Sequence, residues 1–318
     1  MAKGGIDLGG TKIQAVVTDD DNGVLGQARQ STPTEGGPDD IVAAMVAAMH
    51  AAADAAPLNL DELAGVGVGS PGDVDATAGT VANARNLSNW EAPFPLAEAL
   101  TRQLGVPVHL GKDVGVAVES EATLGAGRRY RTFLGLWWGT GVGGAIMIDR
   151  KRWVGRGAAG EIGHTVVKIG GAPCPCGRRG CLEAYAGRNA MERRARRAVK
   201  RGAKTSLFEL MEQHGQERLT SAVWQHALER RDKLAERLIE RAIRALGAGA
   251  ASAINLIDLE AVVVGGGLGT RLGEPMTERI RQAMLPHLFV SDRPPDVRLA
   301  ELGDLGGAIG AARLVPKG

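Results

Sequence analysis

The stretch Gly5-Ile6-Asp7-Leu8-Gly9-Gly10-Thr11-Lys12-Ile13-Gln14-Ala15-Val16-Val17-Thr18-Asp19 decides the fold. Two β-type runs flank a Gly-Gly-Thr turn, and Asp19-Asp20-Asp21-Asn22-Gly23 supplies a further turn, so the segment reads as a hairpin. Its tip gathers backbone N–H groups, the Thr11 hydroxyl and the Lys12 ammonium, with the Asp7 carboxylate just before it. Gly9 and Gly10 let an anion approach the backbone closely, the donors suit phosphate oxygens, and Asp7 can hold Mg2+ or its water. A tight hairpin without a ligand is the alternative. The plan recurs at Phe133, where an apolar run leads into Gly139-Thr140-Gly141-Val142-Gly143-Gly144, then Ala145-Ile146-Met147-Ile148 and a charged turn. Two tips of this kind favour a clamp on two phosphates of one nucleotide, although neither is a Rossmann fingerprint or a Walker A sequence. The repeat implies two related lobes.

Length and composition agree. A chain of 318 residues is long for one core and short for three, so two lobes with a cleft are expected. A net charge of +2 gives no bulk attraction to nucleic acid or membrane. With 46 glycines and only 3% aromatics, the core must be built from small aliphatic side chains in close backbone contact. The N-terminus runs straight into the first strand without a secretory pattern, and the most apolar run, Phe133 to Ile148, is broken by five glycines. A cytoplasmic protein that neither crosses membranes nor binds nucleic acid is expected.

Along the chain, Asp40 to Ala56 has helical spacing, Ala64 to Gly69 reads as a buried strand, and Val106 to Leu110 as another, with Lys112 and Asp113 at its carboxyl end. Glu183 to Lys204 reads as one helix, Thr220 to Ile254 as one long helix, and Ala261 to Val264 as a strand followed by Gly265-Gly266-Gly267. Gly306 to Ala312 is a small-residue helix suited to packing back on the first lobe. The expected division is 1–112 with a C-terminal helix at about 302–318, and 113–301 as the larger lobe.

Cys174-Pro175-Cys176-Gly177-Arg178-Arg179-Gly180-Cys181 brings three thiolates into one knuckle, and His164 is the nearest upstream histidine. An odd number of cysteines so closely spaced argues for metal over disulfides. Four protein ligands close a tetrahedral zinc site, which then braces its loop and activates no water.

These motifs resemble the ROK family of sugar kinases, with a pattern nearest its bacterial glucokinases. The resemblance rests on Asp7 to Ile13, Gly139 to Gly144, Gly160-Glu161-Ile162-Gly163-His164, the knuckle ending Cys181-Leu182-Glu183, and Gly265 to Gly267, in the family's order over nearly the whole chain. It implies an α/β fold of two lobes, the actin-like ATPase (ribonuclease H-like) fold, with ATP and Mg2+ in an interlobe active-site cleft. It further implies Asp113 as the general base, with Glu161, His164 and Glu183 hydrogen-bonding the sugar and Gly265 to Gly267 against the adenosine. Asn86, Leu87 and Trp90 resemble the segment leading to the sugar, and a surface loop explains them nearly as well. The sequence departs from the family at Lys112, which precedes Asp113 where asparagine is usual, and at Gly115, which replaces a second asparagine. Lys112 is read as reshaping the sugar pocket, or else as pointing to solvent or pairing elsewhere.

The activity so implied is ATP-dependent phosphorylation of a hexose, glucose at its 6-hydroxyl. The alternatives are a kinase for another hexose, an N-acetylhexosamine or an acidic sugar, and a non-catalytic sugar-sensing regulator. The family's repressors carry a DNA-binding segment ahead of the hairpin, for which Asp7 leaves no space. The run Arg193, Arg194, Arg196, Arg197, Lys200 and Arg201 reads as a solvated face, or as attraction for a polyphosphate donor. A homo-oligomer, dimer or tetramer, is expected from the resemblance.

Overall fold

The computed structural model describes residues 1–316, so Lys317 and Gly318 of the expected C-terminal helix lie outside the described residues. Two compact units make up the chain: Met1–Gly125 with the C-terminal segment from Asp304, and Ala126–Gly303.

In the first unit β1 (Lys3–Leu8), β2 (Lys12–Thr18) and β3 (Val24–Ser31) form an antiparallel meander. Helix α1 (Pro38–Ala55) follows, begun by a proline whose missing N–H costs nothing in a first turn. It buries Ile41, Met45, Ala48, Met49 and Ala52 at helical spacing. Then come β4 (Val66–Ser70), the small hairpin β5 (Asp73–Asp75) and β6 (Thr80–Ala82), α2 (Leu96–Leu104), β7 (Val108–Lys112) and α3 (Asp113–Leu124). The sheet order is β3-β2-β1-β4-β7, with β4 parallel to both β1 and β7.

The second unit repeats this arrangement. Strands β8 (Phe133–Trp138), β9 (Val142–Ile148) and β10 (Lys151–Trp153) form the meander. Helices α4 (Glu183–Ala186), α5 (Arg188–Val199), α6 (Leu207–Gln213), α7 (Ser221–Glu229) and α8 (Lys233–Ile257) precede β11 (Ala261–Gly265), α9 (Gly266–Met284) and β12 (Asp296–Leu299). The order β10-β9-β8-β11-β12 matches the first sheet strand for strand. The repeat inferred from two glycine-threonine tips is therefore a repeat of whole sheets. Among the described residues no helix is long and apolar enough to cross a membrane.

Helix α10 (Gly306–Ala312) returns to the first unit, as its small residues suggest. A Cβ on Gly67 of β4 would collide with the Ala311 carbonyl oxygen, and one on Gly5 of β1 would stand 2.9 Å from the Ala312 methyl. Lys3 adds a buried bond from Nζ to the Val315 carbonyl, 3.0 Å.

Three sequence expectations need correction. Helix α3 belongs to the first unit, so the division falls after Gly125 and not after 112. The helix expected over 183–204 is broken at Gly187, where ψ of 133° leaves the helical region between α4 and α5. The long helix expected over 220–254 is two: Arg231 takes a left-handed φ of 55°, and the Asp232 carboxylate caps α8 by accepting from Leu234 N and Ala235 N.

Candidate active site

The first tip is tied down from both sides. Gly9 N donates to the Lys12 carbonyl at 2.9 Å, and the Thr32 hydroxyl donates to the Gly9 carbonyl at 2.6 Å. A Cβ on Gly10 would lie 2.9 Å from the Asn86 carbonyl oxygen and 3.0 Å from its Nδ2, so only glycine lets the tip meet the exposed Asn86. Thr11 is exposed. The Lys12 ammonium stands 3.1 Å from Asp304, whose other oxygen accepts from Arg29 at 2.6 Å. Sequence reading had missed Asp304 and Arg29: one lies at the far end of the chain, and the other looks like any polar residue on an edge strand.

The sheet register explains the carboxylates. Asp7 is level with Gly69, Gly69 with Gly111, and Ser70 with Lys112, so β1, β4 and β7 end together, and carboxyl ends of such sheets are where ligands bind. Asp113 follows as the first residue of α3, its Oδ1 accepting from Val114 N at 2.8 Å. Asp7 is pushed up to about 7 by burial first and by the charge of Asp113 second, with Lys12 opposing and Asp304 adding. The linkage sign follows. An unfolded Asp7 ionises near 3.8 while the folded group holds its proton to about 7, so this residue subtracts stability progressively over that window. Asp7→Asn is expected to melt above the parent, by a margin that widens from pH 5 to about 7 and then levels. A margin constant across pH, followed by calorimetry without ligands, would contradict this.

Lys112 is half-buried and its Nζ donates to the Gly72 carbonyl at 2.8 Å. Trp90 is core: it is 1% exposed, its Nε1 donates to the Val81 carbonyl, and its ring meets Phe94 edge-on. The surface-loop reading therefore does not hold for Trp90.

In the second unit Gly139 N donates to the Gly141 carbonyl at 3.0 Å across the β8–β9 tip. Glu183, at the start of α4, accepts from Val142 N at 3.0 Å, so its carboxylate braces this tip as well as following the knuckle. The Gly265–Gly267 turn abuts the same tip: a Cβ on Gly139 would be 3.7 Å from Gly267 N. Gly266 takes a φ of 81° and presses on the Trp138 backbone, a position only glycine fills. Arg188, absent from the sequence-based set, sits directly behind Thr140, with Nη2 donating to its hydroxyl at 2.9 Å. The basic run on α5 is partly consumed inside the unit: Arg196 bonds Glu192 and lies over Phe208, while Arg193, Arg197, Lys200 and Arg201 are exposed.

One ligand atom each from His164, Cys174, Cys176 and Cys181 lies within 4.8 Å of the others. The Cys176–Cys181 sulfurs are 3.7 Å apart and Cys174 Sγ is 3.8 Å from His164 Nδ1. A tetrahedron with zinc–sulfur bonds of about 2.3 Å has edges of about 3.8 Å, so the set fits zinc closely. Nδ1 is the nitrogen that faces the Cys174 sulfur, which leaves Nε2 for another partner. Burial alone would raise the Cys176 thiol, but donors from Arg178 overcome it and hold it at about 6. Tyr185, also missed by the sequence reading, accepts at its hydroxyl from Ala172 N at 2.8 Å and so ties the knuckle's loop to α4. Glu161 is exposed, one helical turn before His164, whose N–H donates to the Glu161 carbonyl.

Residues 3–318 match the ROK family. A glucokinase of Thermotoga maritima is 30% identical over 98% of this chain and 96% of its own. An N-acetylgalactosamine kinase of a Shewanella species is 32% identical over 98% and 95%. The crystal structure of a ROK family glucokinase from Streptomyces griseus, in complex with glucose and AMPPNP, superposes with a TM-score of 0.85 at 32% identity, over 99% of both chains. The fold is thus that of the ROK kinases, the actin-like ATPase fold expected from the sequence. The chain belongs to the ROK family, as one of its sugar kinases.

Proposed function

We propose that the protein phosphorylates a hexose with ATP, glucose at its 6-hydroxyl, using Asp113 as general base. The observation that carries this reading is the carboxylate pair at the level strand ends beside a phosphate-type tip: Asp113 begins α3 and Asp7 feels its charge. The similarity to glucokinases over whole chains supports the same substrate class. Asp113 accepts the proton of the attacking hydroxyl, which phosphoryl transfer needs along with positioning and charge neutralisation. Gly9, Gly10, Thr11 and Lys12 on one tip, and Gly139, Thr140 and Gly141 on the other, hold the phosphates. Gly265, Gly266 and Gly267 lie against the nucleoside. Glu161, His164, Glu183, Asn86 and Lys112 take the sugar hydroxyls. Asp7 is the residue suited to Mg2+, because burial first and the charge of Asp113 second raise its pKa, and a cation beside the carboxylate offsets both. Mg2+, when bound, neutralises charge on the donor phosphates. His164, Cys174, Cys176 and Cys181 hold a structural zinc ion.

The test is coupled detection of ADP with glucose, mannose, N-acetylmannosamine, N-acetylglucosamine and fructose. Glucose is expected to give the highest kcat/KM, and sugar binding without ADP release for any of them would overturn the reading.

A second specificity is favoured by one observation. Lys112 stands where an asparagine would offer the sugar both a donor and an acceptor, and its ammonium is engaged by Gly72. An N-acetylgalactosamine kinase is about as similar as the glucokinases. Lys112→Asn is expected to raise the ratio of kcat/KM for glucose over N-acetylhexosamines by about tenfold, a typical worth for one pocket contact. An unchanged order of preference across the panel would remove Lys112 from the sugar site.

A further inference from the structure

Arg188 begins α5, immediately after the Gly187 break, and is only 8% exposed. Its backbone N donates to the Gly139 carbonyl at 3.1 Å, and the next residue, Asn189, donates from N to the Thr140 carbonyl at 3.1 Å. Its guanidinium donates to two neutral hydroxyls, Thr140 Oγ1 at 2.9 Å and Ser221 Oγ at 3.0 Å. A guanidinium stays charged in proteins, and a buried charge bonded only to neutral groups is costly unless an anion completes it.

The neighbouring carboxylate does not complete it. Glu192 accepts from Arg196, from Arg218 and from Leu219 N. Arg218 in turn donates to Asn189 Oδ1 at 2.9 Å and adds its own positive charge. Burial, and then the charge of Arg218, pull the Arg188 pKa below the usual arginine range. Arg196 and Arg218 thus occupy the Glu192 carboxylate, and Arg188, behind the Gly139–Gly141 tip, has no hydrogen bond to it. A hydroxyl has one proton. Because Thr140 Oγ1 accepts from Arg188, that proton remains available to an acceptor beyond the tip. Ser221 extends the connection to the start of α7, where a Cβ on Gly267 would lie 3.8 Å from its hydroxyl.

We propose that Arg188 is the positioning residue of the phosphate-donor site. It fixes the carbonyls of Gly139 and Thr140 through the helix it begins and leaves the Thr140 hydroxyl to donate to the terminal phosphates of a nucleoside triphosphate. The negative charge of those phosphates balances the arginine cluster. This rests on the reading that the tip takes ATP.

The experiment uses the full chain with ATP and sugar varied independently, comparing the parent with Arg188→Met, Arg188→Lys and Ser221→Ala. Loss of a charge-assisted network predicts an ATP KM raised about tenfold to a hundredfold in Arg188→Met, with the sugar KM within about twofold. Arg188→Lys, which keeps the charge but not the fork, falls between, and the melting-point gain produced by ATP shrinks in the same order. A merely structural arginine lowers the melting point without separating the two KM values, and that result overturns the proposal. Should Arg188→Met fail to fold, Arg188→Lys at the parental ATP KM overturns it equally. A parent protein that neither binds nor turns over ATP sinks the underlying reading, whereas normal parental turnover with indifferent variants sinks the role of Arg188 alone.

Discussion

Asp113→Asn is expected to lower kcat by about two to four orders of magnitude, the range a positioned general base supplies, while the KM values for ATP and sugar change by no more than about threefold. Asparagine keeps the shape at the start of α3, and its Oδ1 can still accept from Val114 N, the bond that Asp113 makes at 2.8 Å. What it cannot do is accept a proton from an attacking hydroxyl. The fall should therefore appear in kcat and kcat/KM together, as for a group that acts only in the transition state. The same variant carries a second signature. The charge of Asp113 is the second cause of the raised Asp7 pKa, so removing it should move the Asp7 titration to lower pH and narrow the window in which Asp7 destabilises the ligand-free protein. A variant that retains more than about a tenth of parental kcat would take the base assignment away from Asp113. Calorimetric titration with sugar then shows whether the carboxylate contributes to binding instead.

How far the sequence could be read depended on the range of each interaction. The two tips were legible because a glycine-threonine turn between β-type runs is local, and the common strand order around them confirms the reading. The knuckle was legible because three of its four donors lie within eight residues. What escaped depends on tertiary placement. Asp304 reaches Lys12 only because α10 folds onto β1 and β4, a packing that needs glycine at 5 and 67 but gives no hint of which polar residue arrives with it. Arg188 lies inside the segment 183–204 that reads as helical, five residues before the basic run, and nothing in its neighbours singles it out. Its backbone is redirected by Gly187, and a glycine inside a helical pattern could have raised the possibility of a break, although not of what the next side chain would meet. Trp90 erred the other way, since a lone aromatic near a candidate site is as readily core as contact.

Cys176→Ala is expected to cost zinc and most of the sugar affinity while leaving the two sheets folded. The segment from Thr165 to Cys181 leaves Ile169 94% exposed and Val166 47%, and its buried residues are the two cysteines Cys174 and Cys181, with Val167 and Ala172 packed at the edge of the core. It is held by a few backbone bonds, among them Val167 N to Gly180 O at 2.9 Å, Gly180 N to Ala172 O at 2.8 Å and Leu182 N to Thr165 O at 2.9 Å, with the Tyr185 hydroxyl on Ala172 N. Such contacts rarely offset the conformational entropy of a loop this long, so the proposed zinc ion would be the main source of order. The two proposed sugar carboxylates should then respond differently. Glu183 has an independent hold on Val142 N and lies in α4, so it should stay in place. Glu161 sits one turn before His164, which the proposed metal would order, and should be released with it. Sugar KM should accordingly rise by about tenfold or more, as for one lost charged hydrogen bond with its positioning, while ATP KM holds. Elemental analysis for zinc, melting temperature and the two KM values decide the matter. A folded, zinc-free variant with the parental sugar KM would break the link between the metal and the sugar site, and an equal rise in both KM values would point to general unfolding instead.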